Sequence, residues 1–264
     1  MKQKAMKRVR MISRFLLFPI SIIYSTLFWL NSFLYKLGIK KIYKFRVPII
    51  SIGNITVGGT GKTPITKTIV KHLLDHGLSP GIVSRGYKRQ SGSTVRVCDG
   101  KTILAGIQES GDEPYLLAKM LGMQVPIVVS KNKACAIDIL QDEYLVDVVV
   151  IDDGFQSFSI KRDIDIVLIN RSEPANSYWM LPMGRMRESI SSLSRSQFVA
   201  LTKDGSVHGF LDEAIHRAET KVIDTSTSMY LARETAEGSL EKISSNVEGL
   251  AVIAFCGLGD PRSF

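Results

Sequence analysis

This sequence is best equipped for chemistry in a glycine-rich stretch that ends in Gly61-Lys62-Thr63. Residues 47–66 run Val-Pro-Ile-Ile-Ser-Ile-Gly-Asn-Ile-Thr-Val-Gly-Gly-Thr-Gly-Lys-Thr-Pro-Ile-Thr, an apolar segment that breaks into glycines. In such a loop glycines let backbone N–H groups curl around phosphate oxygens, a lysine reaches the β- and γ-phosphates, and the next hydroxyl ligates Mg²⁺. Val57, Gly58, Gly59, Thr60, Gly61, Lys62, Thr63 and Pro64 are therefore the candidate nucleotide-binding residues, with ATP and Mg²⁺ as the expected cofactors. The strict spacing G-x-x-x-x-G-K-[ST] would place glycine where Thr56 stands, so the loop is a variant. The alternative, a chance match in a Gly-rich turn, is opposed by the context: a β-branched run precedes the loop, and Ile65, Ile69, Val70, Leu73 and Leu74 follow at helical spacing.

Carboxylates at a second place suit the same chemistry. Val146 to Ile151 is a hydrophobic run that delivers Asp152 and Asp153 at a strand terminus, and a phosphate loop needs an Asp beyond its own hydroxyl to hold Mg²⁺. Arg85, at the end of the strand Gly81–Ser84, is a candidate phosphate or substrate contact, with a solvated arginine as the equal alternative. Asp112 and Glu113 open a helix, where spacing alone favours capping and dipole roles. His72 and His76 stand four apart, but no glutamate follows His72, so a solvated helix face is preferred to zinc.

The elements that must position these groups alternate strand and helix. Strands are expected near 49–52, 81–84, 94–97, 125–130, 146–153, 164–169, 198–202 and 250–255, and helices over 65–74, after 111, over 133–142 and over 210–218. That alternation predicts an α/β, P-loop-type, doubly wound and mostly parallel sheet. The division expected is a basic membrane-associated segment over 1–46, the nucleotide-binding domain over 47–204, and a smaller α/β lobe beginning at 205.

Charge separates the first of these from the rest. The net charge is +9, yet residues 1–46 carry 11 Lys/Arg and no Asp or Glu, which leaves 23 basic and 25 acidic residues for the remainder. A nearly neutral body excludes nucleic acid as the expected partner. Phe15 to Tyr35 is an uncharged run of 21 residues between basic clusters, long enough to span a bilayer. A domain that uses ATP faces the cytoplasm, and a single span would carry six basic residues outward, against the positive-inside tendency. A helix lying in the cytoplasmic leaflet against anionic lipid is therefore preferred over a span, a cleaved signal peptide or a buried core helix. Cys98, Cys135 and Cys256 show no metal or disulfide spacing.

In order along the chain, Gly53-Asn54 through Thr63-Pro64, Ser84-Arg85-Gly86-Tyr87, Gly111-Asp112-Glu113-Pro114, Asp152-Asp153-Gly154-Phe155-Gln156, Arg187-Glu188 and Gly257-Leu258-Gly259-Asp260-Pro261 resemble the tetraacyldisaccharide 4′-kinase (lipid A 4′-kinase) family. The resemblance runs from the apolar helix to residue 264. It implies transfer of the γ-phosphoryl of ATP to the 4′-hydroxyl of an acylated glucosamine disaccharide 1-phosphate, at the cytoplasmic face of a Gram-negative inner membrane. It also implies catalytic roles for Asp112, as the base or its helper, and for Glu113, Asp152 and Asp153. Thr63, Asp152 and Glu188 become candidate metal ligands, and Asn54, Arg85, Gln156 and Arg187 candidate substrate contacts. Ser157 stands where the family usually has histidine, and Lys131-Asn132-Lys133 where it usually has an arginine. The family continues beyond the Gly-Leu-Gly-Asp-Pro turn into a segment with an Asp-His-His motif, so the second lobe is expected to be incomplete and the activity impaired. Two other functions are carried as alternatives: an inactive truncated kinase, and a membrane-associated switch ATPase, which would have lysine where Val57 stands.

Overall fold

The computed structural model describes residues 17–226 in full and the backbone of 2–16, 232–234 and 240–242. The expected strand at 250–255 and the Gly-Leu-Gly-Asp-Pro turn lie outside the described residues. The elements in order are α1 (Lys2–Lys36), β1 (Ile49–Asn54), α2 (Lys62–Asp75), β2 (Pro80–Ser84), β3 (Val95–Asp99), α3 (Ile107–Ser110), α4 (Asp112–Met120), β4 (Pro126–Val129), α5 (Lys133–Asp142), β5 (Val148–Asp152), β6 (Ile164–Asn170), β7 (Phe198–Thr202), α6 (Gly209–Arg217) and β8 (Lys221–Asp224). The backbone of 232–234 pairs antiparallel with that of 240–242.

Eight strands form one sheet in the order β3-β4-β2-β5-β1-β6-β7-β8, parallel throughout except for β3 against β4. Strands buried on both faces carry continuous apolar runs, and alternate residues feed opposite layers. Ile52, Ile82, Ile127, Val150 and Leu168 pack on one face with Val70 of α2 and Leu117 of α4. On the other face Val83, Val128, Val149 and Ile151 meet Ile137 and Leu140 of α5. Val167, Ile169, Val199 and Leu201 also lie on that face, against Leu193 and against Leu211 and Ile215 of α6. β1 lies at the point where the chain has filled one side (β5, β2, β4) and turns to the other (β6, β7, β8), the place where open α/β sheets bind ligands.

The sheet runs on past the boundary expected at 204/205. α6 supplies the crossover to β8, which pairs in parallel with β7, so residues 209–224 extend the nucleotide-binding sheet. The side chains of β8 are all exposed, so no apolar run marks it in the sequence.

α1 is docked along one face. Ser21, Tyr24, Phe28, Asn31 and Tyr35 recur at heptad-like spacing. Ser21 Oγ donates to the Met180 carbonyl (3.2 Å) and accepts from Met183 N–H (3.2 Å), and Tyr24 Oη donates to the Arg187 carbonyl (3.0 Å). Phe158 meets the rings of Phe28 (5.6 Å) and Tyr35 (6.0 Å), and the Arg195 guanidinium stacks over Phe158 at 4.8 Å. Phe18, Ile22, Ile23, Leu27, Trp29, Leu30 and Phe33 remain exposed. Residues 17–36 are long and apolar enough to cross a membrane, yet the docked stripe joins the helix to the body. Phe158→Ala removes the ring that joins α1 to the sheet and is expected to cost about 2 kcal/mol, read as a lowered midpoint in denaturant. An unchanged midpoint would place the anchorage elsewhere.

Candidate active site

The phosphate loop is shaped by its neighbours as much as by its glycines. Gly61, with φ +83°, is the left-handed residue that caps α2. Thr60 is buried; its hydroxyl accepts from Asn54 Nδ2 (2.9 Å), and its carbonyl accepts from the Thr202 hydroxyl at the end of β7 (2.9 Å). On the other flank Thr56 bridges Met186 in antiparallel fashion, Val57 N–H donates to the Arg185 carbonyl (2.7 Å), and Arg187 N–H donates to the Ile55 carbonyl (2.7 Å). This explains the variant spacing. Position 56 is buried and paired like a strand residue, so it has no use for glycine. Gly58 needs it, because its φ of +120° is one that side chains rarely adopt, and the Arg185 guanidinium lies over it. Among the described residues, the N–H groups of Gly59, Gly61, Lys62 and Thr63 have no acceptor, the arrangement that receives an anion. Val57 has already spent its N–H on Arg185, and Pro64 has none to offer, so these two expected nucleotide contacts shape the loop without donating.

β5 carries the carboxylates to the same edge. Gly154 N–H donates to the Ile52 carbonyl (3.0 Å), and Gly53 sits so close to Phe155 that a Cβ on it would lie 2.6 Å from the Phe155 Cβ. Asp153, with φ +52°, swings back toward the loop. Its Oδ2 accepts from Arg187 Nη1 (2.9 Å) and its Oδ1 from Arg187 Nη2 (2.8 Å), a two-pronged pair, and Lys62 Nζ stands 3.7 Å away. Burial pulls the Asp153 carboxyl upward, but the Arg187 hydrogen bonds, with the charges of Arg187, Lys62 and Lys133, outweigh it and hold the group well below the usual carboxylate range. Asp152 is buried at 1% exposure and its Oδ1 has no hydrogen-bond partner. Burial first, then the charge of Glu113, pushes its carboxyl up to about 6. An orphaned buried carboxylate oxygen, within reach of the Lys62 charge at the end of the strand beside the phosphate loop, is the donor chemistry a hard divalent cation takes, so Asp152 fits Mg²⁺.

Arg187 also donates to Asn54 Oδ1. Asn54 and Arg187 thus brace the loop against Asp153. Gln156 Nε2 bonds to the Asn54 carbonyl (2.9 Å) and to Glu188 Oε1 (2.6 Å), while Arg195 Nη2 takes Glu188 Oε2 (2.7 Å). Glu188 is 1% exposed and both its oxygens are engaged, so it holds Gln156 and Arg195 in place. Arg195, which also stacks over Phe155 (4.4 Å), carries no sequence motif. Lys133, in the stretch where the family usually has an arginine, donates to the carbonyl of Asp153 (2.5 Å) and to the Ser157 hydroxyl (3.0 Å). Burial draws its amine down to about 8. The two departures from the family pattern, Lys133 and Ser157, therefore meet each other.

Asp112 and Glu113 are exposed at the start of α4, behind Gly111, whose φ of +88° and approach to the Tyr87 carbonyl leave no room for a Cβ. Glu113 is near enough for its charge to act on Asp152. Arg85, Lys131, Lys133, Asp153, Gln156 and Arg187 line a polar cleft of about 320 Å³ whose opposite wall is Asn31 and Tyr35 of α1.

The profile of LpxK, tetraacyldisaccharide-1-P 4′-kinase, matches residues 13–264. The chain belongs to the tetraacyldisaccharide 4′-kinase family. It is 34% identical over 256 residues to the tetraacyldisaccharide 4′-kinase of Desulfotalea psychrophila, covering 93% of this chain and 71% of that one. With the enzyme of Chlorobaculum parvum the identity is 35% over 258 residues, covering 95% of this chain and 70% of the relative. The crystal structure of LpxK from Aquifex aeolicus in complex with ATP superimposes with a TM-score of 0.70 at 31% identity, over 80% of this chain and 64% of that one. The fold described here is thus shared, over four-fifths of this chain, with a solved member of the family.

Proposed function

We propose that this chain transfers the γ-phosphoryl group of ATP to the 4′-hydroxyl of an acylated glucosamine disaccharide 1-phosphate at the cytoplasmic face of the inner membrane. The observation that carries the reading is the cleft: one wall is the phosphate-loop partners Asp153 and Arg187, the other is the apolar helix α1. A cleft so built accepts a headgroup whose tails stay in lipid, and Arg85, Lys131 and Lys133 give it the charge that suits a phosphorylated acceptor. The exposed apolar face of α1 would lie in the leaflet.

In this reading Gly59, Gly61 and Lys62 hold the phosphates through N–H groups, and the Lys62 ammonium holds the terminal one. Thr63 and Asp152 would hold Mg²⁺, which when bound neutralises charge on the phosphate oxygens. Asp153 keeps Lys62 and Arg187 pointed at the transferring group. Asp112 takes the acceptor proton and Glu113 assists it. Asp112→Asn is expected to lower turnover about 100-fold while ATP affinity stays unchanged. The assay is ATP-dependent formation of the 4′-phosphate in detergent–lipid micelles. If the parent protein binds ATP and never phosphorylates the disaccharide 1-phosphate, the reading fails.

A further inference from the structure

Arg185 has a placement that bracing the loop does not explain. Its backbone carbonyl already holds Val57, so the side chain is free for another task. The guanidinium instead folds back over Gly58. Nη1 lies 2.7 Å from Glu173 Oε1 and 3.1 Å from Oε2. Nη2, the atom that faces Gly58, has no acceptor among the described residues.

Glu173 is what makes this arrangement expensive unless it is used. Its side chain is only 5% exposed, in the turn that follows β6, and the His208 ring is bonded to its carbonyl (2.8 Å). A buried carboxylate must be paired, and the fold has chosen to pair it with a side chain still 38% exposed over the loop. The guanidinium is thus aimed by a rigid anchor and keeps donors in hand, as anion recognition requires.

Its side of the loop decides which phosphate it meets. Lys62, Asp153 and Arg187 mark the transferring end, on the β5 flank. Glu173 anchors Arg185 from the β6 flank, across β1. We propose that Arg185 is a further catalytic residue, one that grips the nucleotide's phosphate chain at the end that is not transferred and holds the charge gathering on the departing diphosphate. This rests on the phosphoryl-transfer reading above. In that step the bond between the γ-phosphorus and the β,γ-bridging oxygen breaks, its electron pair stays on ADP, the acceptor oxygen bonds to phosphorus, and the acceptor proton passes to Asp112. The charge that moves onto the bridging oxygen is what a planar fork with spare donors can stabilise.

The test is calorimetric titration of the parent protein and of Arg185→Ala with Mg-ADP and with inorganic tripolyphosphate, alongside turnover. Arg185→Ala is expected to weaken both ligands about tenfold and to lower kcat. Arg185→Lys should restore most of the affinity but not kcat, because a point charge replaces the fork. If Arg185→Ala shifts Tm yet binds ADP and tripolyphosphate like the parent, Arg185 is a brace and the proposal is overturned. Should the alanine variant be insoluble, Arg185→Gln reads the same affinities without the charge. The binding measurements need no lipid acceptor, so they stand or fall separately from the assignment of the acceptor.

Discussion

Lys62→Ala is expected to reduce phosphoryl transfer by about 10³-fold and to weaken ATP binding along with it. The lysine does two things that no neighbour can take over. It is the cation at the start of α2 that, in the proposed reaction, reaches the phosphates over the loop, and it stands 3.7 Å from Asp153, sharing that carboxylate with Arg187. With the ammonium gone, Asp153 is held by Arg187 alone, and the transferring end of the nucleotide faces a carboxylate with one cation fewer. Arginine is not expected to rescue the variant, because a broad planar fork does not replace a compact ammonium 3.7 Å from Asp153. ATP binding and single-turnover transfer should fall together. Loss of transfer with unchanged ATP affinity would mean that Lys62 acts only in the transition state.

Asp152→Asn is expected to have two opposite effects, which makes it more informative than a simple loss of activity. Transfer should fall by about 10³-fold, because the orphaned buried carboxylate oxygen is the strongest candidate for a divalent cation. Stability without metal should rise. The native carboxyl titrates near 6, above its ordinary value of 3.8. Between those values the folded chain keeps a proton that the unfolded chain releases, so the native state loses stability as pH climbs through this window. The cost is complete above about pH 6 and absent below about pH 4. Asparagine removes it. In metal-free buffer the variant should melt several degrees above the parent at pH 8, and the two should converge as pH falls toward 4. A variant that melts below the parent at pH 8 would show that Asp152 is paired rather than strained.

The strands that carry the site were legible because burial on both faces writes mostly apolar runs: Ile49, Ile50 and Ile52, then Gly81 to Val83 and Val148 to Ile151, were visible without a partner in view. β8 was not, since an exposed edge strand of Lys-Val-Ile-Asp has neither run nor alternation, and the domain boundary drawn at 204 came from that silence. The antiparallel setting of β3 left no mark either, because direction is set by the connection and not by residue type. In the site, chemistry carried by consecutive residues could be read: the loop, Asp112-Glu113 and Asp152-Asp153. Chemistry assembled from distant residues could not. Arg195 reaches Glu188 and stacks over Phe155, and Thr202 fastens the loop through Thr60, yet neither sits in a pattern that spacing could flag. The Thr56 irregularity reads differently once Met186 is beside it: position 56 is paired like a strand residue, and the left-handed turn that needs a glycine falls at 58.

The helix that forms one wall of the cleft also carries the exposed apolar face, and that has a kinetic consequence for the proposed reaction. In that reading an acceptor reaching Asn31 and Tyr35 would come sideways through the leaflet, so encounter would be a two-dimensional search. Its rate follows the mole fraction of acceptor among the surrounding lipids, not the amount per volume of solution. Adding inert lipid at constant acceptor and constant enzyme is expected to dilute the surface and slow turnover, while the affinity for nucleotide, taken up from water, stays unchanged.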